Sequence, residues 1–307
     1  MKDTSIDLAP IVLFVYNRPW HTQQTVEALQ KNELAKESEL FIYSDEAKNE
    51  DARKSVNEVR KYIDKIDGFK KVIVIKREKN WGLADSIIDG VTKIVNEYGK
   101  IIVLEDDLVT SPYFLKFMND ALEFYKDQEK IWHINGWNNP INTKKLPDIY
   151  FSRIAYSWAW ATWSDRWKNF HNNSDKYIEL FSKRQIYEFN LEGTYNMWSQ
   201  MIRNNKGVLK TWAVFWNAEL FIFNKLALNN NLGLVKNIGT DGSGINCDLD
   251  VLYQGQNVNK NKLFYEFSLD MFHNDLAFER LKQFEKNKKK SLLARVVNKV
   301  KRYLNYE

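Results

Sequence analysis

The stretch KIIVLEDDLVTSPYFLKF, residues 100–117, decides how the chain is read. Four apolar residues, Ile101 to Leu104, run straight into three carboxylates, Glu105, Asp106 and Asp107, and a helical pattern restarts at once. A short unbroken apolar run is the signature of a strand covered on both faces, as in a parallel sheet. Open sheets of that kind bind their ligands beyond the carboxyl ends of the strands. Three adjacent carboxylates repel one another, and each raises the cost of ionising the others. A divalent cation relieves that repulsion, and oxygen ligands at a strand end suit Mg²⁺ or Mn²⁺ bridging substrate phosphates. The plainer alternative is a solvated acidic turn, with Asp107 or Thr110 capping the next helix.

Working outward, the first 135 residues alternate strand and helix signals, the pattern of an α/β domain with a mostly parallel sheet flanked by helices. The segments IVLFVY (11–16), LFIYSD (40–45), KVIVIKRE (71–78) and IIVLEDD (101–107) read as strands, with IWHINGW (131–137) as a fifth. Helices are predicted from Trp20 to Leu29, over residues 49–66 with Val56, Val59, Tyr62 and Ile63 inward, and over residues 80–95. Ser111-Pro112 opens a further helix with Ser111 as N-cap, turning Phe114, Phe117, Met118 and Leu122 inward. Beyond Trp137 the pattern weakens to an aromatic stretch (150–170), a helical one (176–190), mixed apolar runs (209–235) and a Gly-rich loop (237–244). With no repeat and no flexible linker, the second half is expected to pack on the first.

The 11 Trp, 15 Tyr and 18 Phe are heavy for 307 residues, and serve either a core or a surface that stacks on sugar rings. A single cysteine, Cys247, excludes an internal disulfide and reads as structural in a reducing compartment. The N-terminal apolar run is too short for a signal peptide, and no run approaches the roughly 20 apolar residues of a membrane span. A cytoplasmic location is therefore expected. Net charge is +5, but residues 286–302 hold eight basic and no acidic side chains, leaving the rest at −3. That balance argues against a nucleic-acid binder with a wholly basic surface. The four histidines show no metal-ligand spacing.

The segment VLEDDLVTSPYFLKFMNDALEFYKDQEKIWHINGWN (103–138) resembles the GT-A-fold nucleotide-sugar glycosyltransferases. The similarity is to bacterial family-2-like sugar transferases and to the eukaryotic N-acetylglucosaminyltransferase that initiates complex N-glycans. It extends through FVYNRPWHTQQTVEAL (14–29), NWGLADSIIDGV (80–91), SWAWATWSDRW (157–167) and LVKNIGTDGSG (234–244). The resemblance implies a Rossmann-like GT-A sheet in residues 1–280. Residues 1–137 would form the nucleotide-sugar half and residues 138–280 an aromatic-rich acceptor half. A basic amphipathic tail would occupy residues 281–307.

Carried over by position, Asp107 matches the family's metal ligand for Mn²⁺ or Mg²⁺. Glu105 and Asp106 match groups that contact the donor. Asn17 and Arg18 lie in the loop around the nucleotide, and Asp45 matches the acid that reads the base edge. Asn80 and Gly82 match a donor-facing turn, although a plain helix start explains Asn80 as well. Trp137 is expected on the donor wall, with Trp158 and Trp160 as further stacking residues.

Inverting transfer needs a base for the acceptor hydroxyl. Where the eukaryotic relative has an aspartate, TWAVFW (211–216) places Ala213. Asp241 is the first substitute, and equally a turn residue; Glu219 and Asp165 follow.

The expected donor is a nucleotide sugar, UDP-linked foremost. The expected acceptor is a glycan or a polyprenyl-diphosphate-linked chain in bacterial surface polysaccharide assembly. In the tail, Leu292, Leu293, Val296, Val297, Val300 and Leu304 share one stripe amid lysine and arginine. That pattern fits docking on the anionic inner face of the membrane, or a helix packed on the body or a partner. A sugar nucleotidyltransferase and a catalytically decayed sugar-binding protein are the alternative functions.

Overall fold

A computed structural model describes residues 7–242, 253 and 255–288. Strand and helix alternate through the first half: β1 (Ile11–Val15), α1 (Pro19–Gln30), β2 (Glu39–Ser44), α2 (Glu50–Ile63), β3 (Lys71–Lys76), α3 (Leu83–Tyr98) and β4 (Lys100–Glu105). There follow β5 (Leu108–Thr110), α4 (Phe114–Phe124), β6 (Ile131–Asn135), β7 (Ile149–Ser152) and β8 (Trp160–Trp163). The chain continues through α5 (Ser164–Trp167), α6 (Ser174–Leu180), α7 (Lys183–Phe189), α8 (Met197–Asn205), α9 (Ala213–Ile222), β9 (Leu226–Asn230) and β10 (Val235–Asn237). Residues 275–288 are also helical.

Eight strands form one sheet in the order β3-β2-β1-β4-β8-β6-β9-β7. β1 to β4 are parallel, β8 and β7 run against the rest, and the sheet is mostly parallel as expected. The apolar runs are buried along their length in β1 and β4 because helices cover both faces. The register sets the site: Phe14 lies opposite Glu105 and Val15 opposite Ser44, so β1, β2 and β4 end level. Everything that follows these three strands emerges at one edge.

Local chemistry explains the helices. Asn49 caps α2, accepting from the Ala52 amide at 3.1 Å, while Glu50 and Asp51 begin it and Arg60 and Lys61 end it, matching the helix dipole. Val56, Val59 and Ile63 are its buried face. Ser111 is not the N-cap of α4. That position is Tyr113, two residues later than expected, and Ser111 Oγ accepts from the Tyr113 amide at 3.3 Å. The single helix expected over 176–190 is two, because Phe181 is extended and Ser182 starts α7 in a capping box with Gln185.

The tryptophans are mostly core. Trp160 and Trp216 are fully buried, and Trp132, Trp163, Trp167 and Trp212 are nearly so. Trp160 stacks on His133 at 5.3 Å and on Trp212 at 5.0 Å, so it is no ligand wall. The sheet continues across residue 137, and the helix at 275–288 crosses residue 280, packing Leu281 with Met197, Met201 and Phe215. The apolar stripe of the tail and Cys247 lie outside the described residues. Among the described residues no helix is long and apolar enough to cross a membrane.

Candidate active site

At the carboxyl edge of the sheet, Pro19 starts α1 and leaves Arg18 at its N-cap position, facing the acidic triplet. Thr25 of α1 pins that triplet: its hydroxyl donates to the Asp106 carbonyl at 2.9 Å and accepts from the Leu108 amide at 3.0 Å. Arg18 then pairs through one guanidinium nitrogen with Asp106 and, at 2.8 Å, with Asp107 Oδ2. Burial opposes the Arg18 charge, but the two carboxylates outweigh it and raise its pKa above the usual value. Asp106 and Asp107 are only 5% and 4% exposed. Burial raises the Asp106 pKa, with Arg18 acting against it. Glu105 is pushed up to about 8, by burial first and then by the charges of Asp107 and Asp106.

β10 pairs antiparallel with β5, Asn237 opposite Leu108, and this ribbon lays the following loop on the triplet. The Ile238 amide donates to the Asp107 carbonyl at 2.9 Å. Gly239 has no room for a side chain: a Cβ would lie 2.0 Å from Asp107 Oδ2 and 2.7 Å from an Arg18 nitrogen. Gly239→Ala is therefore expected to push the loop off the clamp and to cost about 1–3 kcal/mol of stability, read by urea unfolding. Unchanged stability would show that the loop yields without strain. Asp107 Oδ1 is buried with no hydrogen-bond partner among the described residues.

Asp45 follows β2 and accepts from the amides of Trp81 and Gly82, both at 2.8 Å, and from Asn80 Nδ2 at 3.0 Å. Its carboxylate thus holds the turn into α3, which Gly82 makes at φ +76°. Arg77, which the sequence reading did not single out, props this turn from behind. It stacks 4.0 Å from the Trp81 ring and 4.9 Å from Tyr43, and pairs with Asp89 at 2.5 Å. Its only sequence signal was a basic residue closing a strand.

Two cavities of about 500 Å³ each open on this edge. The first is lined by Asn17, Arg18, Asp45, Asn80, Gly82 and the acidic triplet, so the expected donor-binding residues converge there, apart from Trp137. The second holds Trp137, Tyr156, Trp158 and Tyr253, with Trp137 and Trp158 edge-to-face at 4.4 Å. Trp137 thus lies on the second cavity, its indole donating to Gln256 at 2.8 Å. The cavities meet at Leu83, Glu105, Leu209 and Lys210. Among the described residues the Glu105 carboxylate has no hydrogen-bond or ion-pair partner. It stands at the seam between the two.

The three expected bases fare differently. Asp241 is 3.1 Å from His21 Nε2 and lines neither cavity. Glu219 is corrected: it is fully buried on the far side of α9, binding Tyr177 Oη at 2.6 Å, His171 Nδ1 at 2.8 Å and Lys176 Nζ at 2.9 Å. Asp165 is also corrected. It follows β8, whose Trp163 pairs with Lys100 at the start of β4, so it sits at the opposite end of the sheet beside Arg166. Ala213 does line the second cavity, without a carboxylate.

An acidic strand end, clamped by an arginine and opening on two joined cavities, places the fold with the GT-A glycosyltransferases. Residues 11–187 match the family described as glycosyl transferase family 2, and the chain belongs to it. It is a glycosyltransferase, and the nucleotidyltransferase alternative is set aside. No curated protein matches the chain.

Solved structures similar to it include a mannosyltransferase, PcManGT from Pyrobaculum calidifontis, in complex with GDP-Man and Mn²⁺. That match has 10% identity over 70% of this chain and 72% of that one, at a TM-score of 0.41. TarS of S. aureus in complex with UDP matches at 18% identity over 45% and 39%, with a TM-score of 0.32. Mouse xyloside xylosyltransferase 1 matches at 12% over 66% and 83%, with a TM-score of 0.35. Scores this low transfer no site geometry.

Proposed function

We propose that the chain transfers a sugar, with inversion, from a nucleotide-sugar donor to a glycan or polyprenyl-diphosphate-linked acceptor in bacterial surface polysaccharide assembly. A UDP-sugar is the foremost donor. The observation that supports this most is the Arg18 clamp on Asp106 and Asp107 beside a buried, unpartnered Asp107 Oδ1 in the first cavity. Asn17 and the Asn80–Gly82 turn held by Asp45 form the nucleotide side of that cavity. The second cavity, with Trp137 and Trp158, takes the acceptor, since ring faces pack on the CH groups of a sugar. Lys210, at the seam and paired with Asp85, brings positive charge near the diphosphate.

The donor set fits a hard cation in one respect. Asp107 Oδ1 would hold Mn²⁺ or Mg²⁺ jointly with donor phosphates, the usual arrangement for Mg²⁺, which takes one or two carboxylates from the protein. Among the described residues no three metal-ligating side chains converge unaided. When bound, the cation neutralises charge on the departing diphosphate. The basic tail would keep the enzyme peripheral on the cytoplasmic membrane face.

The test is hydrolysis of a panel of UDP- and GDP-sugars with and without Mn²⁺, comparing wild type with Asp107→Asn. Metal-stimulated turnover, reduced on the order of 100-fold in the variant, is the expected result. Binding of nucleotide sugar without turnover, with candidate acceptors present, would instead indicate a catalytically decayed binding protein.

A further inference from the structure

We propose that Glu285, on the helix at 275–288, is the general base of the transfer, an inference that rests on the inverting reading above. Among the described residues that line the second cavity, Glu105 and Glu285 are the only acids. Glu285 is 8% exposed, and the helix that carries it is anchored on the body through Leu281, Lys282 and an Asn274 cap. Lys282 bonds Glu192, which ties the helix to the turn after α7. A group held this firmly in a substrate cavity meets the geometric demand on a catalytic side chain.

The choice between the two acids follows from the direction of attack. In an inverting displacement the entering oxygen and the departing group lie on opposite faces of the anomeric carbon. Glu105 is contiguous with Asp106 and Asp107, the carboxylates assigned to the leaving diphosphate. Glu285 enters from a different element, on the acceptor cavity alone. Its charge is felt at Tyr156 and Tyr195, where it adds to burial in raising both phenols. Lys288, one turn on, donates to Tyr253 Oη at 2.9 Å on the same wall.

In the proposed step the Glu285 carboxylate takes the proton of the acceptor hydroxyl as that oxygen bonds the anomeric carbon. The bond from that carbon to the phosphate oxygen breaks, and its electron pair leaves with the nucleoside diphosphate. The proton is then lost to solvent. A sequence division at residue 281 hides this residue in a tail; the fold returns it to the site.

The experiment compares wild type, Glu285→Gln, Glu285→Asp and Glu105→Gln with UDP- and GDP-sugars, using water and azide as nucleophiles. Water must lose a proton to react, whereas the azide anion carries none and needs no base. Glu285→Gln is expected to lose 10²–10⁴-fold in hydrolysis, to form glycosyl azide near the wild-type rate, and to keep wild-type nucleotide affinity. Glu285→Asp is expected to recover part of the hydrolysis. Undiminished hydrolysis in Glu285→Gln overturns the assignment. So does an equal loss with both nucleophiles, and so does a selective loss confined to Glu105→Gln. A wild type that turns over no donor overturns the transferase reading itself, which separates the two failures.

Discussion

Arg18→Met destabilises the protein by about 3–5 kcal/mol at pH 7, the usual effect of removing one partner from a buried ion pair. Among the described residues the guanidinium is the one cation paired with Asp106 and Asp107, and all three side chains are largely shielded from water. Without it, two adjacent carboxylates remain, and burial already opposes the ionisation of Asp106. The variant's deficit depends on pH in a definite direction. Uncompensated carboxylates have folded pKa values above the unfolded ones, so their folded form is least penalised at low pH and most penalised as pH rises. The gap between variant and wild type in urea unfolding therefore narrows from pH 7 to pH 4.5. A gap that stays constant, or that is under 1 kcal/mol, would mean that solvent reaches the pair and that the clamp is not structural.

Acidification weakens the wild type through His133. This imidazole is fully buried, and its tautomer is fixed by its partners. The Trp216 indole can only donate, so His133 Nδ1 accepts from it at 3.1 Å; Nε2 therefore carries the proton and donates to the Tyr156 carbonyl at 3.1 Å. A second proton on Nδ1 would face the indole N–H. Burial takes the pKa down to about 3. Between pH 6.5 and 3 the unfolded chain binds a proton that the folded one refuses, so stability falls as pH falls through that window. Since the unfolded imidazole is half protonated at pH 6.5 and the slope then approaches about 1.4 kcal/mol per pH unit, His133 alone removes roughly 2 kcal/mol between pH 6.5 and 4.5. Urea midpoints across that range measure the slope, and His133→Gln, which keeps an amide donor and acceptor, flattens it by close to one proton. An unchanged slope in the variant would place the acid sensitivity elsewhere.

The first half of the fold was legible because each strand is an unbroken apolar run and each helix an amphipathic one, so period and length separate them. The site was legible for the same reason: Arg18, Asp45 and Glu105–Asp107 follow strands, and parallel strands end together. What the sequence hid are contacts between distant segments. WATW (160–163) has no alternation to mark it as a strand, because it is buried on both sides within the sheet between β4 and β6. Glu219 looked like a base because sequence shows a carboxylate and not the tyrosine, histidine and lysine that enclose it. Glu285 was missed for the converse reason, since charge composition merged it with the lysines that follow.

The placement of β8 bears on how the chain can be divided. Its partners β4 and β6 are complete by residue 135, yet they remain apart until Trp160–Trp163 emerges to join them. A fragment ending at residue 137 would leave the inner edge of β4 naked, with its amides and carbonyls unpaired beside buried-type side chains. Such edges recruit other strands. Attempts to express residues 1–137 alone should yield aggregates, and on the ribosome the same exposed edge must be sheltered until the later segment arrives.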